Sequence, residues 1–65
     1  MVTAAQAGEI IGVSRVTIWN YVTDGRLPAE RIGIRQEISI KLDDLRDFAQ
    51  LHNYPFDEEK AKLYQ

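Results

Sequence analysis

Between two helix-forming stretches this chain leaves room for only Gly12 and Val13. The residues on either side are helix punctuation. Thr3 followed three residues later by Gln6 is a capping box, in which side chain and backbone satisfy each other's free groups at a helix start. The predicted first helix carries Ala4, Ala7, Gly8 and Ile11 along one face at helical spacing. It stops at Gly12, the residue type best suited to a left-handed helix end. Ser14 is a second N-cap, and the second helix runs from Arg15 to about Thr23, closed by Asp24-Gly25. Two short helices joined by so tight a glycine-containing turn are the signature of a helix-turn-helix. Gly8 supports this register, because a side chain where the helices cross would hold them apart.

What holds such a fold must be packing. The 65 residues include no cysteine and a single histidine, which excludes disulfide staples and a thiolate-rich zinc site. A domain of this size hides roughly 60% of the surface its unfolded chain exposes, so its stability is marginal and its core has to be efficient, or helped by a partner. There is no apolar run of membrane-spanning length. The opening MVTAAQAGEI has no basic segment and carries Glu9, unlike a secretion signal, so the expected location is cytoplasmic.

Downstream, Leu27-Pro28 breaks regular structure. From Arg31 to Ile40 isoleucines alternate with polar residues on both sides of a short polar centre, which predicts a two-stranded hairpin with its tip near Gly33 to Gln36. A third helix is expected from Leu42 or Asp43 to about His52. Asp43 and Asp44 suit its positive end, and Leu45, Phe48, Ala49 and Leu51 form its apolar stripe. His52 then lies near the helix C-terminus, as a favourable dipole contact or in solvent. In the tail from Asp57 to Gln65, Asp57 can cap a short helix and Glu58 faces Lys62; Phe56, Leu63 and Tyr64 can dock it or serve a partner. The expected class is therefore mostly α with a β-hairpin: a helix-turn-helix, a two-stranded wing and a closing helix over residues 1–52, then an acidic tail or short helix over 53–65.

The residues offer little to catalysis. One imidazole and two serines, Ser14 and Ser39, show no triad spacing, and no glycine-rich phosphate loop occurs. Asp43 and Asp44 are adjacent in sequence and point to different faces, so they form no acid–base dyad. Nothing calls for a metal, a cofactor or a small-molecule substrate. Double-stranded DNA fits better. A recognition helix reads the major groove with its N-terminal residues and outward face, which here are Ser14, Arg15, Val16, Thr17, Asn20 and Thr23. Arginine pairs bidentately with guanine and asparagine with adenine; Val16 and the threonine methyls match the thymine methyl. Ser14, Thr17 and the free amides of the helix start suit phosphates. Two roles stay open for Trp19: completing the core, or lying on the sugar-phosphate backbone. Arg31 and Arg35 flank the hairpin tip, where an arginine can enter the narrow, electronegative minor groove. Charge is divided accordingly. Residues 1–42 hold five cationic and four acidic side chains, residues 43–65 three and six.

From Val2 to Phe48, about three quarters of the chain, the sequence resembles the excisionase-type DNA-binding domains, short relatives of the MerR winged helix-turn-helix. The residues that carry the likeness are Thr3-Ala4-Ala5-Gln6-Ala7, Ile10-Ile11-Gly12-Val13-Ser14-Arg15, Thr17-Ile18, Asp24-Gly25-Arg26-Leu27-Pro28-Ala29, Arg31-Ile32-Gly33, Ile38-Ser39-Ile40 and Asp44-Leu45. The resemblance implies a second helix in the major groove and a wing on the backbone or minor groove. By position, Ser14, Arg15, Thr17, Asn20, Arg31 and Arg35 would be the contacts. It also implies a role as a recombination directionality factor, as a small regulator of a phage or mobile element, or as the N-terminal DNA reader of a longer protein.

The expected function is sequence-specific duplex binding without catalysis, cooperative on repeated sites, with an integrase or further copies of the chain as protein partners. A different class stays open: a protein-interaction module on the same scaffold, anchored by Trp19, Tyr54, Phe56 and Tyr64.

Overall fold

The computed structural model describes residues 1–35 and 37–64. Its elements run β1 (Val2–Thr3), α1 (Ala4–Ile11), α2 (Arg15–Thr23), β2 (Glu30–Ile32), β3 (Glu37–Ile40), α3 (Leu42–Leu51) and α4 (Glu58–Leu63). This is a winged helix-turn-helix, as the sequence pattern implies.

The helix ends obey the punctuation. Thr3 Oγ1 accepts from the Gln6 amide at 3.2 Å while Gln6 Oε1 accepts from the Thr3 amide at 3.0 Å, closing the capping box. Gly12 ends α1 with φ 77°, a left-handed conformation in which a Cβ would crowd the following carbonyl. Ser14 then caps α2 through the Thr17 amide at 3.2 Å. At Gly8 the constraint is space, not φ. A Cβ built there would lie 2.5 Å from the Val13 carbonyl oxygen, and the Val13 amide donates to the Gly8 carbonyl at 2.8 Å. The turn therefore folds directly onto the Gly8 backbone.

One sheet joins the chain's start to the wing. Its order is β1-β3-β2, all antiparallel, with Val2 opposite Ile40, Thr3 opposite Ser39, Arg31 opposite Ile38 and Ile32 opposite Glu37. The expected two-stranded wing is present as β2 and β3, and β1 adds a third strand to its sheet. Two residues are too few to show a period-2 alternation, and Val2–Thr3 runs straight into the capping box, so the sequence conceals this strand. The predicted tip spans Gly33 to Gln36, of which Gln36 lies outside the described residues, as does Gln65 in the tail.

The core gathers Val2, Ala7, Ile10, Ile11, Ile18, Leu27, Ile40, Leu45, Phe48, Ala49 and Ala61, all buried. Leu51, expected in the α3 stripe, is exposed. Helical geometry explains this: Leu45, Phe48, Ala49 and His52 follow the 3–4 spacing of one face, and Leu51 falls outside it. His52 stands at the α3 C-cap, as expected, but not in solvent. It is half-buried, its ring 4.3 Å from Phe48, 5.6 Å from Tyr21 and 6.3 Å from Tyr54. Tyr21 and Tyr54 close this aromatic cluster through their hydroxyls at 2.8 Å.

The α4 segment packs on α1. Asp57 caps it through the Lys60 amide at 3.1 Å and donates its own amide to the Ile10 carbonyl at 2.9 Å. Ala61 joins the core, Phe56 and Tyr64 pack partly buried against it, and Leu63 stays exposed. Glu58 does not pair with Lys62. It meets Arg46 of α3 at 2.9 Å, and the same guanidinium stacks over the Phe56 ring at 4.9 Å. Tyr64 donates its hydroxyl to the Glu9 carboxylate.

Two hydroxyls carry a pH dependence. The Tyr54 phenol is held above its ordinary value chiefly by its bond to Tyr21, and the Tyr64 phenol chiefly by its bond to Glu9. Both groups keep their protons longer in the folded chain. Their contribution is complete below about pH 10, where unfolded tyrosine titrates, and is lost as the pH rises through the folded values. Denaturant unfolding followed across alkaline pH is expected to show stability falling above that point. The fall should be shallower in Tyr54→Phe and Tyr64→Phe; an identical slope in both variants would assign the loss elsewhere.

Candidate nucleic-acid interface

The exposed side of α2 follows from its winding. At about 100° per residue, Arg15, Trp19, Thr23, Val16 and Asn20 fall within one arc of about 140°. All five are exposed. Ile18, buried, and Tyr21 and Val22, half-buried, occupy the opposite side. Trp19, for which the sequence leaves two roles, is 51% exposed and lies on the open arc with Val16 at 62%. The core is complete without its indole.

Hydrogen bonding sorts the polar members. Ser14 and Thr17 hydroxyls bond each other at 2.9 Å beside the cap, so both are positioned at the helix start, Thr17 half-buried and Ser14 exposed. The Thr23 hydroxyl donates to the Trp19 carbonyl at 2.9 Å, which leaves its methyl as the outward group. Arg15 and Asn20 are different. Among the described residues neither side chain has an intramolecular hydrogen bond or ion pair.

Arg31 and Arg35 are both exposed on the wing, and among the described residues neither is in an ion pair. Strand register gives Arg31 a direction. It pairs with Ile38 and therefore shares that residue's face of the sheet, while Ile32 and Glu37 share the other. Ile38 lines a groove of about 530 Å³ between the α1 start, α2 and β3, together with Thr3, Ala4, Ala5, Arg15, Val16, Trp19 and Glu37. The structure thus brings Arg15, Val16 and Trp19 to one side of a common groove and the wing to the other. The groove itself was not legible in the sequence, because β1 sets the approach of β3 to the α1 start.

Over residues 1–50 the chain matches the family model of the helix-turn-helix domain. The protein belongs to the helix-turn-helix domain family. Neither a curated protein nor a solved structure matches the chain. Membership supports DNA binding through the helix-turn-helix and is consistent with the excisionase-type resemblance. Families of this kind are typically non-enzymatic. Among the described residues no three carboxylate or imidazole side chains gather as a metal site requires, and no helix is long and apolar enough to cross a membrane.

Proposed function

We propose that this helix-turn-helix protein binds duplex DNA sequence-specifically, with α2 in the major groove and the wing on the adjacent minor groove or backbone. The observation that carries the reading is the open arc of α2. Arginine, asparagine and two methyl-bearing residues share it, and its Arg15 and Asn20 have no partner within the described chain. Arg15 reads guanine and Asn20 adenine through bidentate bonds, while Val16 and the Thr23 methyl meet thymine methyls. Ser14, Thr17 and Trp19 sit on the backbone, and Arg31 and Arg35 follow the minor groove from the wing. Selection of bound duplexes from a random pool tests this: a recovered consensus supports it, and no enrichment at low or moderate salt overturns it.

With only about four to five cationic side chains available for phosphates, among Arg15, Arg26, Arg31, Arg35 and Lys41, the affinity of one module is modest and its salt dependence shallow. Affinity is expected to fall about 100-fold between 50 and 200 mM salt, against 1,000-fold or more for a binder with six to ten contacts. A binding isotherm series checks this; a loss beyond 1,000-fold would mean that the basic surface is larger than assigned.

Repeated sites would make such a module effective. Residues 43–65 carry six carboxylates against three cations, and a neighbouring copy on DNA would meet them with cations that its own DNA contacts leave unused, such as the exposed Arg26 and Lys41. A recombination directionality factor, or a small phage regulator, uses cooperative coating of this kind, with an integrase as a further partner. Footprints over tandem sites should lengthen cooperatively; a strictly independent isotherm would sink this part. The protein-interaction reading loses ground, because Tyr54, Phe56 and Tyr64 are packed against the protein's own core.

A further inference from the structure

We infer that Ile34 is a wedge, inserted by the wing into the minor groove at a base step that it opens and kinks; this rests on the DNA-binding reading above. Ile34 is the most exposed large apolar residue described, at 101%. Its side chain contributes nothing to the core, so its solvent exposure brings no return within the chain. It stands beyond β2 at the end of the hairpin, flanked in sequence by Gly33 and Arg35. Arg31, at the centre of the neighbouring strand, adds a second cation without an ion pair among the described residues. An aliphatic tip between two arginines is a poor fit to water, and it calls for a polyanionic surface with an apolar recess. It does fit a minor groove, whose phosphates and negative potential attract the guanidinium groups while its floor accepts an apolar side chain.

The dimensions allow it. Adjacent major and minor grooves face the same side of a duplex about half a turn apart, roughly 17 Å. The molecule measures 31 × 24 × 18 Å along its principal axes, so a half-turn separation lies within its length. Aliphatic side chains that enter from the minor groove part-unstack a base step and kink the duplex toward the major groove by 20–90°. Pyrimidine–purine steps resist this least. The wing would therefore read sequence by deformability while α2 reads base edges, and a weakly basic module would gain discrimination without more positive charge.

The experiment uses the full chain and duplexes carrying the selected site, with fluorophores on both ends to report end-to-end distance. Wild type is expected to shorten that distance and to select TA or CA/TG at the wing position. Ile34→Ala should abolish the bend, weaken binding about tenfold, the net of aliphatic burial against unstacking, and flatten the step preference there. The bases under Arg15 and Asn20 should be selected as before. Because the Ile34 side chain is fully exposed, the melting temperature of Ile34→Ala should be unchanged, and Ile34→Leu should retain the bend. A bend of wild-type size in Ile34→Ala, or a straight duplex with wild type, overturns the wedge while leaving DNA binding standing. If Ile34→Ala keeps the bend but sediments as a smaller species, the residue serves contact between copies instead. If wild type shifts no duplex at all, the parent reading falls and the wedge with it.

Discussion

Replacing Arg15 and Asn20 together by alanine is expected to weaken duplex binding by about 100-fold or more while leaving the fold intact. Each bidentate base contact contributes about 1–3 kcal/mol of discrimination, and every 1.4 kcal/mol is tenfold in affinity. Both side chains are exposed and, among the described residues, tied to nothing, so removing them costs the domain no internal bond. A gel shift on the selected site and a circular dichroism melt of the same variant separate the two quantities. The single variants should each lose preference at one base position only. If the double variant shifts the selected duplex as well as wild type does, α2 is not the reading element. If the wing variants Arg31→Ala and Arg35→Ala instead weaken binding evenly over all sequences and lower the salt slope by about one each, the division between specificity and positioning stands.

The second large effect is on stability. Gly8→Ala is expected to lower the melting temperature by about 4–16 °C, from a net cost of about 1–2 kcal/mol. The new Cβ would lie 2.5 Å from the Val13 carbonyl oxygen and 3.3 Å from the Ser14 carbonyl group, all of it backbone. No side chain can rotate to make room, so either the turn or the helix crossing must move. Overpacking of this kind costs about 1–3 kcal/mol, and in a domain of this size each kcal/mol is worth about 4–8 °C. The gain of alanine over glycine in helix propensity, about 1 kcal/mol, works in the opposite direction and sets the lower end of the effect. Because Ser14 caps α2 from the same turn, any residual folded variant should also bind DNA more weakly. A melting temperature equal to wild type would show that the turn is not held against Gly8.

Much of this protein is legible in one dimension because its helix boundaries are made by local bonds. Thr3 with Gln6, Gly12, Ser14 and Asp57 each cap a helix within four residues of themselves, so a linear pattern carries the capping interaction. The outward residues of α2 follow from helical winding around Ile18 for the same reason. The alternation of isoleucines marks the hairpin, since period two is a property of the strand alone.

What the chain could not declare locally was decided by contacts distant in sequence. Val2–Thr3 becomes a strand only because Ile40 and Ser39 lie beside it. His52 enters an aromatic cluster because Tyr21 and Tyr54 are brought to the same face as Phe48. Glu58 had two cations within its chemistry, and the packing of α4 gave it Arg46 over Lys62. Trp19 was divided evenly by winding alone; its exposure was settled when Ile10, Ile11, Ile18 and Leu45 filled the core without it. Local hydrogen bonds and side-chain periodicity are fixed by sequence neighbours and can be read there. Burial and charge pairing depend on which remote surfaces meet, and only the folded chain determines that.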